Sequence, residues 1–320
     1  MASSTLKYVL GGSHIFNWSP EDTAAYQEVM NKHGITDIDT SRIYERSEKV
    51  IGSLPNRDAL HVHTKTGGFT KGALSKQSIL DSAHASLSHL KRIDTYMFQS
   101  PDPSTSIEES LSAIASLHAS GVFSTFGLSN FSATEVQNIH DICKANNYVL
   151  PTVYTGPYNA VTRRNETELF PVLRRLGISY WAYSPIGAGF LTKRFEDFNL
   201  PGNEGFGTGR FSREVGWMAG IVNQLYNRPK LLEALKLWNE VAREEGVAPA
   251  ELAARWIAYH SALEAGRGDA VILGSSRPLQ LDQTLETIGK GPLSQKAVEG
   301  VEKVWAVAKE DAQTGEPLFA

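Results

Sequence analysis

Asp39, Tyr44, Lys65 and Gln99 are the residues whose types and spacing invite a chemical reading. A phenol serves as a general acid when its pKa, ordinarily about 10, is drawn toward working pH. A nearby ammonium favours the phenolate, and a carboxylate holds that ammonium in place. Asp39, Tyr44 and Lys65 thus form a set that protonates a carbonyl oxygen while hydride arrives at carbon. Gln99 sits in YMFQSPDP (96–103), where an apolar run meets Pro101 and Pro103, which stop strand and helix alike. Its amide forms hydrogen bonds but cannot become cationic. No metal set competes. His61 and His63 lie two apart on one strand face with no evident carboxylate or thiol partner, and read as packing or surface. Cys143, in the helical pattern NIHDICKANN, reads as packing rather than nucleophile.

These groups need elements to bring them together. Short apolar, β-branched runs recur at TDIDTS (36–41), LHVHTKTG (60–67), IDTYMFQS (93–100), VFSTFGLSN (122–130), PTVYTG (151–156), ISYWAYSP (178–185) and DAVILGSS (269–276); with YVLGG near the start they make eight candidate strands. Helix signals fall between them. Ser19 is an N-cap before Pro20 and two acids, with Gly34 placed as a C-cap. Ser132 and Glu135 form a capping box, Ser75 opens another helix, and IEESLSAIASLHASG ends at Gly121. Regular alternation implies parallel strands with right-handed crossovers, and eight such units close into a (β/α)8 TIM barrel covering residues 1–320 as a single domain. A doubly wound open sheet would want a Gly-rich phosphate turn after its first strand, and Gly11-Gly12 falls short of it. The stretch from Phe190 to about Arg228 is Gly-rich and irregular; it reads as a long loop after the seventh strand, at the face where barrels react. Asp39, Lys65, Gln99, Ser129, Asn130, Thr155, Tyr183 and Ser184 all sit at strand tips on that face.

Bulk properties narrow the class. The chain has 320 residues, 41% hydrophobic and 21% charged, with a net charge of -4, which gives no electrostatic case for nucleic acid or an anionic membrane. No apolar run approaches the roughly 20 residues of a membrane span. The opening MASSTLKYVLGG lacks the charged start and long apolar core of a signal peptide. A lone cysteine excludes an intramolecular disulfide and fits a reducing, cytoplasmic compartment. Oligomeric state is not written in these features.

DIDTSRIYERSEKVIG, with Asp39 and Tyr44 five residues on, resembles the signature of the aldo-keto reductases. Lys65 in HTKTG, GLSNF (127–131) and YSPIGAGFLT (183–192) fit the same superfamily. PTVYTGPYNAVTRRNETELFPVLRR (151–175) and SPDPSTSIEESL (100–111) are most similar to its aflatoxin-aldehyde reductase branch. The resemblance spans essentially the whole chain and implies a barrel that binds NADPH/NADP+ without a Rossmann domain. It implies that Asp39, Tyr44 and Lys65 are catalytic, with Tyr44 the proton donor. It assigns Ser129 and Asn130 to the nicotinamide carboxamide and Tyr183 to stacking on the ring. Ser184, Pro185, Ile186, Gly187, Gly189, Leu191 and Lys193 would grip the pyrophosphate, and Arg210 lie near the cofactor. Gly274, Ser276, Arg277, Gln280, Gln283 and Thr284 would surround the adenosine and its 2′-phosphate, where the Arg277 guanidinium favours NADP over NAD.

Departures from the family pattern carry as much meaning. Gln99 aligns with a catalytic histidine, Thr155 stands where a glutamine usually meets the carboxamide, and Thr284 where asparagine is common. Gln99 at the oxygen-binding corner keeps hydrogen bonding while giving up proton chemistry. Such a site suits a weakened carbonyl reductase, or a substrate needing less acid help, such as an iminium ion or conjugated alkene. The expected function is NADPH-dependent hydride transfer to a carbonyl or conjugated C=C/C=N group of an aromatic or polyketide-like metabolite, a small-molecule substrate. Trp217, Trp305 and Phe319 are candidate walls of an apolar substrate pocket, Trp217 as a lid. A catalytically weak NADP(H)-binding regulatory subunit is the alternative. The intact Asp39, Tyr44 and Lys65 argue against it, and nothing in the residues specifies a redox-neutral epimerase.

Overall fold

The computed structural model describes residues 6–198, 206–215 and 217–312, with the side chains of residues 209, 215, 217 and 218 left aside. Eight parallel strands close a barrel in chain order. They are β1 (Lys7–Gly11), β2 (Asp37–Asp39), β3 (His61–Lys65), β4 (Ile93–Phe98), β5 (Phe123–Ser129), β6 (Pro151–Pro157), β7 (Ser179–Tyr183) and β8 (Ala270–Leu273). Each coincides with one of the runs of the sequence to within a residue at either end, or lies inside it. A parallel strand buried on both faces needs such runs, because helices cover its outer side.

Outside the barrel the caps act as their residue types require. Ser19 accepts from Asp22 N and Ser132 from Glu135 N, each with a reciprocal bond from the acid, to open Pro20–His33 and Ala133–Ala145. Ser75 accepts from Ser78 N at the start of Lys76–Leu90. Gly34 closes the first helix at φ 66°, a conformation that favours glycine. The main core lies between helices and strands, around fully buried Trp238, Trp256, Tyr96, Tyr158 and Tyr180.

The barrel interior is layered. Val9, Val153, Trp181, Ala270 and Ile272 form one apolar cluster. Toward the amino ends of the strands lies a polar floor. There Asp37 accepts from Lys7 at 2.6 Å and lies 2.8 Å from His63 Nε2, while His63 Nδ1 lies 2.8 Å from Thr95 Oγ1. His63 meets the Trp181 ring edge-on, with ring centroids 4.6 Å apart. Burial would raise the Asp37 carboxyl, but the bonds from His63 and Lys7 outweigh it and hold it at about 2. This corrects the reading of the two histidines as lacking a carboxylate partner, since His61 Nδ1 also lies 3.4 Å from Asp94 Oδ1. The partner of His63 lies on the neighbouring strand, two residues before Asp39, with which His63 is in register.

The stretch after β7 is more ordered than its glycines imply. Its described part holds short 3-10 turns, including Gly209–Phe211, and the helix Trp217–Tyr226. Phe190, Phe198, Phe211 and Tyr226 pack together beneath it. Among the described residues no helix is long and apolar enough to cross a membrane.

Candidate active site

At the carboxyl ends of the strands a cavity of roughly 680 Å³ opens, lined by Asp39, Tyr44, Lys65 and Gln99 together. Parallel pairing explains the convergence. Asp39, Lys65, Ser129 and Thr155 lie on the inward side of β2, β3, β5 and β6, and Ser129 is paired directly with Thr155. Lys65 Nζ donates to Asp39 Oδ1 at 2.5 Å and to the Thr40 carbonyl at 3.0 Å.

Tyr44 stands on a rigid turn rather than a loose loop. Its N–H donates to the Ser41 carbonyl and its own carbonyl accepts from Ser47 N–H at 2.8 Å. Ser47 Oγ then donates to the Gly12 carbonyl at 2.9 Å. Next in the chain, buried Glu48 accepts from Arg42, Thr64 and Ser86, which fixes the short helix Ser47–Gly52. The Lys65 ammonium is 6.0 Å from the centre of the Tyr44 ring. The Tyr44 phenol is pushed above its ordinary value by burial and then by the Asp39 carboxylate, with Arg210 pulling the other way. The Lys65 ammonium is engaged by Asp39.

Gln99 is pinned at several points. Its N–H donates to Thr66 Oγ1 at 3.1 Å, and its backbone carbonyl accepts from Asn130 Nδ2 at 2.9 Å. Its side-chain oxygen accepts from Ser41 Oγ at 2.5 Å. Gly68 crosses its aliphatic stem so closely that a Cβ there would lie 2.4 Å from Gln99 Cγ. The next residue, Phe69, holds φ 58°, costly for an aromatic, while its N–H donates to Ser100 Oγ.

The residues assigned to a dinucleotide divide into groups. Ser129, Asn130, Thr155 and Tyr183 line one part of the cavity. Tyr183 Oη donates to Asn130 Oδ1 at 2.7 Å, and Asn130 itself adopts φ 64°. Thr155 Oγ1 is buried with no hydrogen-bond partner, although Thr155 faces the cavity. Beyond them Ser184, Ala188 and Gly189 take φ 54°, 55° and 99°, a tight turn in which Gly187 and Gly189 N–H donate to the Ser184 and Ile186 carbonyls, and a backbone form of the kind that binds anions through its remaining N–H groups. Pro185, Ile186 and Lys193 also line the cavity, and Lys193 Nζ donates to Thr208 Oγ1. Gly274, Ser276, Gln280 and Thr284 line its far end, beside the start of the helix Pro278–Ile288. A buried orphan hydroxyl, an anion-shaped turn and a helix N-terminus in one cavity fit a nicotinamide dinucleotide.

Other assignments fall elsewhere. Leu191 is buried in the core, with its carbonyl accepting from Trp238 Nε1, and Gly187 is also buried; neither lines the cavity. Arg277 and Gln283 are exposed and outside its lining. Trp305 lies under the Arg163 guanidinium, 5.6 Å from ring centre to Cζ, and away from the cavity. Phe319 lies outside the described residues; Trp217 opens a helix, and its side chain is likewise outside the description. Cys143 is buried and its thiol pushed up to about 12 by burial, which makes it unreactive.

Sequence reasoning missed Ser41, Gly68, Phe69 and His14. His14 lines the cavity and touches Arg210. Its imidazole is lowered by burial and then by the Arg210 charge. For Phe69 and His14 no local pattern marks the role. Ser41 could have been found by asking what occupies the second end of the Gln99 amide.

A closed parallel barrel with acid, ammonium and amide at its carboxyl ends defines a barrel enzyme of the oxidoreductase kind. The chain belongs to the aldo/keto reductase family, whose family model matches residues 7–306. It is 38% identical over 297 residues to "Oxidoreductase sirO" of Leptosphaeria maculans, covering 91% of this chain and 88% of that protein. "Aflatoxin B1 aldehyde reductase member 4" of Homo sapiens is 35% identical over 296 residues, 88% of each chain. "Aldo-keto reductase pigE" of Monascus ruber is 28% identical over 305 residues, 90% of this chain and 88% of that protein. Enzymes of this family typically use NAD(P)H and act on small molecules.

Proposed function

We propose that this oxidoreductase is an NADPH-dependent reductase of an aromatic or polyketide-like small molecule, with an aldehyde or ketone as its first substrate class. The observation that carries the reading is the convergence of Tyr44, the Lys65–Asp39 pair and Gln99 in one cavity. NADPH supplies the hydride. Tyr44 Oη gives its proton to the substrate oxygen, and Gln99 donates a hydrogen bond to the same atom. Asp39 holds the Lys65 ammonium beside the phenol, where its charge eases the loss of that proton once the substrate oxygen becomes basic. Ser129, Asn130 and Thr155 present polar atoms to the carboxamide, and the backbone at 184–189 presents N–H groups to the pyrophosphate.

Preference for the phosphorylated cofactor is supported by Arg277, Ser276 and Gln280 at the start of the helix Pro278–Ile288. Half-exposed Ile43 and the strained Phe69 stand at the cavity beside Tyr44 and give the substrate an apolar seat. A relative named for an aldehyde supports the carbonyl class.

The test mixes the purified chain with NADPH and a panel of an aromatic aldehyde, a dicarbonyl, an enone and an imine. NADPH oxidation and products are followed for native protein and for Gln99→His. Aldehyde reduction by the native chain is expected. Tight NADPH binding without turnover of any panel member overturns the reading.

A further inference from the structure

We propose that Ser41 is a positioning residue that turns the Gln99 amide so that its NH2 end faces the substrate, making this corner of the site a donor of hydrogen bonds and never an acceptor. The inference rests on the reading of the cavity as a hydride-transfer site and names the substrate it selects: a neutral carbonyl compound, with iminium ions excluded.

The argument is a count of donors and acceptors. A glutamine side chain offers an accepting oxygen and a donating NH2, and rotation by half a turn exchanges them. In isolation either end could meet a ligand. Here the oxygen is taken: Ser41 Oγ donates to Gln99 Oε1 at 2.5 Å. The other contact at Ser41 is one it accepts, from Ile43 N–H at 3.4 Å. That contact leaves the serine hydrogen free, and Gln99 Oε1 is the one acceptor within its reach among the described residues, so the serine gives its single hydrogen to Gln99. Ser41 is buried at 1% exposure and absent from the cavity lining, whereas Gln99 lines it. Oε1 therefore points into the protein wall and Nε2 is the end left for the cavity, where it has no partner among the described residues.

Swinging the side chain away is blocked. Gly68 packs on the stem, and the backbone of Gln99 is held on one side by Thr66 and on the other by Asn130. A carbonyl oxygen placed between Tyr44 Oη and Gln99 Nε2 accepts from both. An N-alkylated iminium nitrogen has no lone pair, so it accepts from neither Nε2 nor Tyr44 Oη, and its positive charge meets the positive end of the amide dipole. Gln99 in this orientation preserves carbonyl chemistry, and the amide is no step toward iminium ions.

The test uses Ser41→Ala, which frees Oε1 to turn into the cavity, and Ser41→Thr, which keeps the hydroxyl. Native protein and both variants are compared with NADPH on benzaldehyde and on an N-methylated cyclic aromatic iminium ion. The ratio of kcat/KM for aldehyde over iminium should fall about tenfold in Ser41→Ala, the worth of one neutral hydrogen bond. Ser41→Thr should restore it, with NADPH affinity unchanged in both. Arg210 disfavours the cation equally in every variant, so the change in ratio reports Ser41 alone. The same two probes are titrated calorimetrically into the NADP+ complex, where no reduction occurs. A tenfold loss of preference for benzaldehyde there supports the proposal even if the native chain turns over neither compound, an outcome that would overturn the carbonyl-reductase reading by itself. An unchanged preference in Ser41→Ala overturns the role of Ser41.

Discussion

Lys65 Nζ lies 2.5 Å from Asp39 Oδ1, inside the barrel, while the centre of the Tyr44 ring is 6.0 Å away. The ammonium is thus held by a carboxylate on the neighbouring strand, and the phenol is left loaded with its proton. That arrangement separates the residue that gives the proton from the pair that sets the field around it.

Tyr44→Phe removes the proton donor and leaves the ring. Reduction of an aromatic aldehyde should fall by roughly 10²- to 10⁴-fold, the range for one general acid. NADPH affinity, followed by cofactor fluorescence, should hold. A variant that keeps a tenth of native turnover would assign the proton to another group.

The pH profile follows from the direction of the Tyr44 shift. The phenol is raised, so the protonated, donating form persists below a folded pKa that exceeds the ordinary tyrosine value. Reduction should stay level from pH 6 through about 9 and decline only above about 10, where the acid is lost. A decline centred near pH 7 would show that Lys65 lowers the phenol after all.

Gly68→Ala places a methyl 2.4 Å from Gln99 Cγ, so either the loop or the amide must shift. The expected result is a fall in kcat of tenfold or more with NADPH affinity within about twofold of native. Equal kcat in the two proteins would show that the amide does not need its stem clamped.

Arg277→Ala should weaken NADPH by tenfold or more and leave NADH unchanged, because a guanidinium adds charge-assisted bonds to a phosphate that NADH lacks. Parallel titrations of both cofactors decide it. Equal weakening of the two would place Arg277 in helix structure instead of phosphate recognition.

Asp37→Asn addresses the floor. The Asp37 carboxyl is held at about 2 against an ordinary 3.8, a lowered value, so its contribution is present above the unfolded pKa and lost as pH falls through the folded one. Urea unfolding at pH 7 should show a loss of about 2 kcal/mol or more, since His63 and Lys7 also lose their partner. Near pH 2 the gap between native and variant should close. A gap of the same size at both values would mean the loss is one of packing rather than charge.

The barrel was legible because short β-branched and apolar stretches, from TDIDTS to DAVILGSS, recur eight times in regular alternation with capped helices. Asp39, Lys65, Gln99 and Ser129 were legible for a related reason: each ends such a run, and parallel strands bring their ends to one face. What stayed hidden depends on partners far along the chain. Ser41 and Gln99 are 58 residues apart, and Asp37 and His63 are 26 apart, so no local pattern announces either pair. The helix Trp217–Tyr226 was masked by the glycines before it, which set the expectation of a loop for the whole stretch. Leu191 was assigned to the cofactor although its apolar side chain had a place in the core.

Asp37 and His63 satisfy each other two residues before Asp39 and Lys65 on the same two strands. The Asp37–His63 contact therefore belongs to the lower storey, and Gln99 in the reactive storey borrows nothing from it. A lineage of such chains can exchange an imidazole for an amide at position 99, or rebuild the loops around the mouth, while the closed sheet beneath stays intact. Novelty in substrate then comes at little structural risk when it enters through position 99 or the loops, because such a change touches a reaction and leaves both charge pairs of the sheet in place.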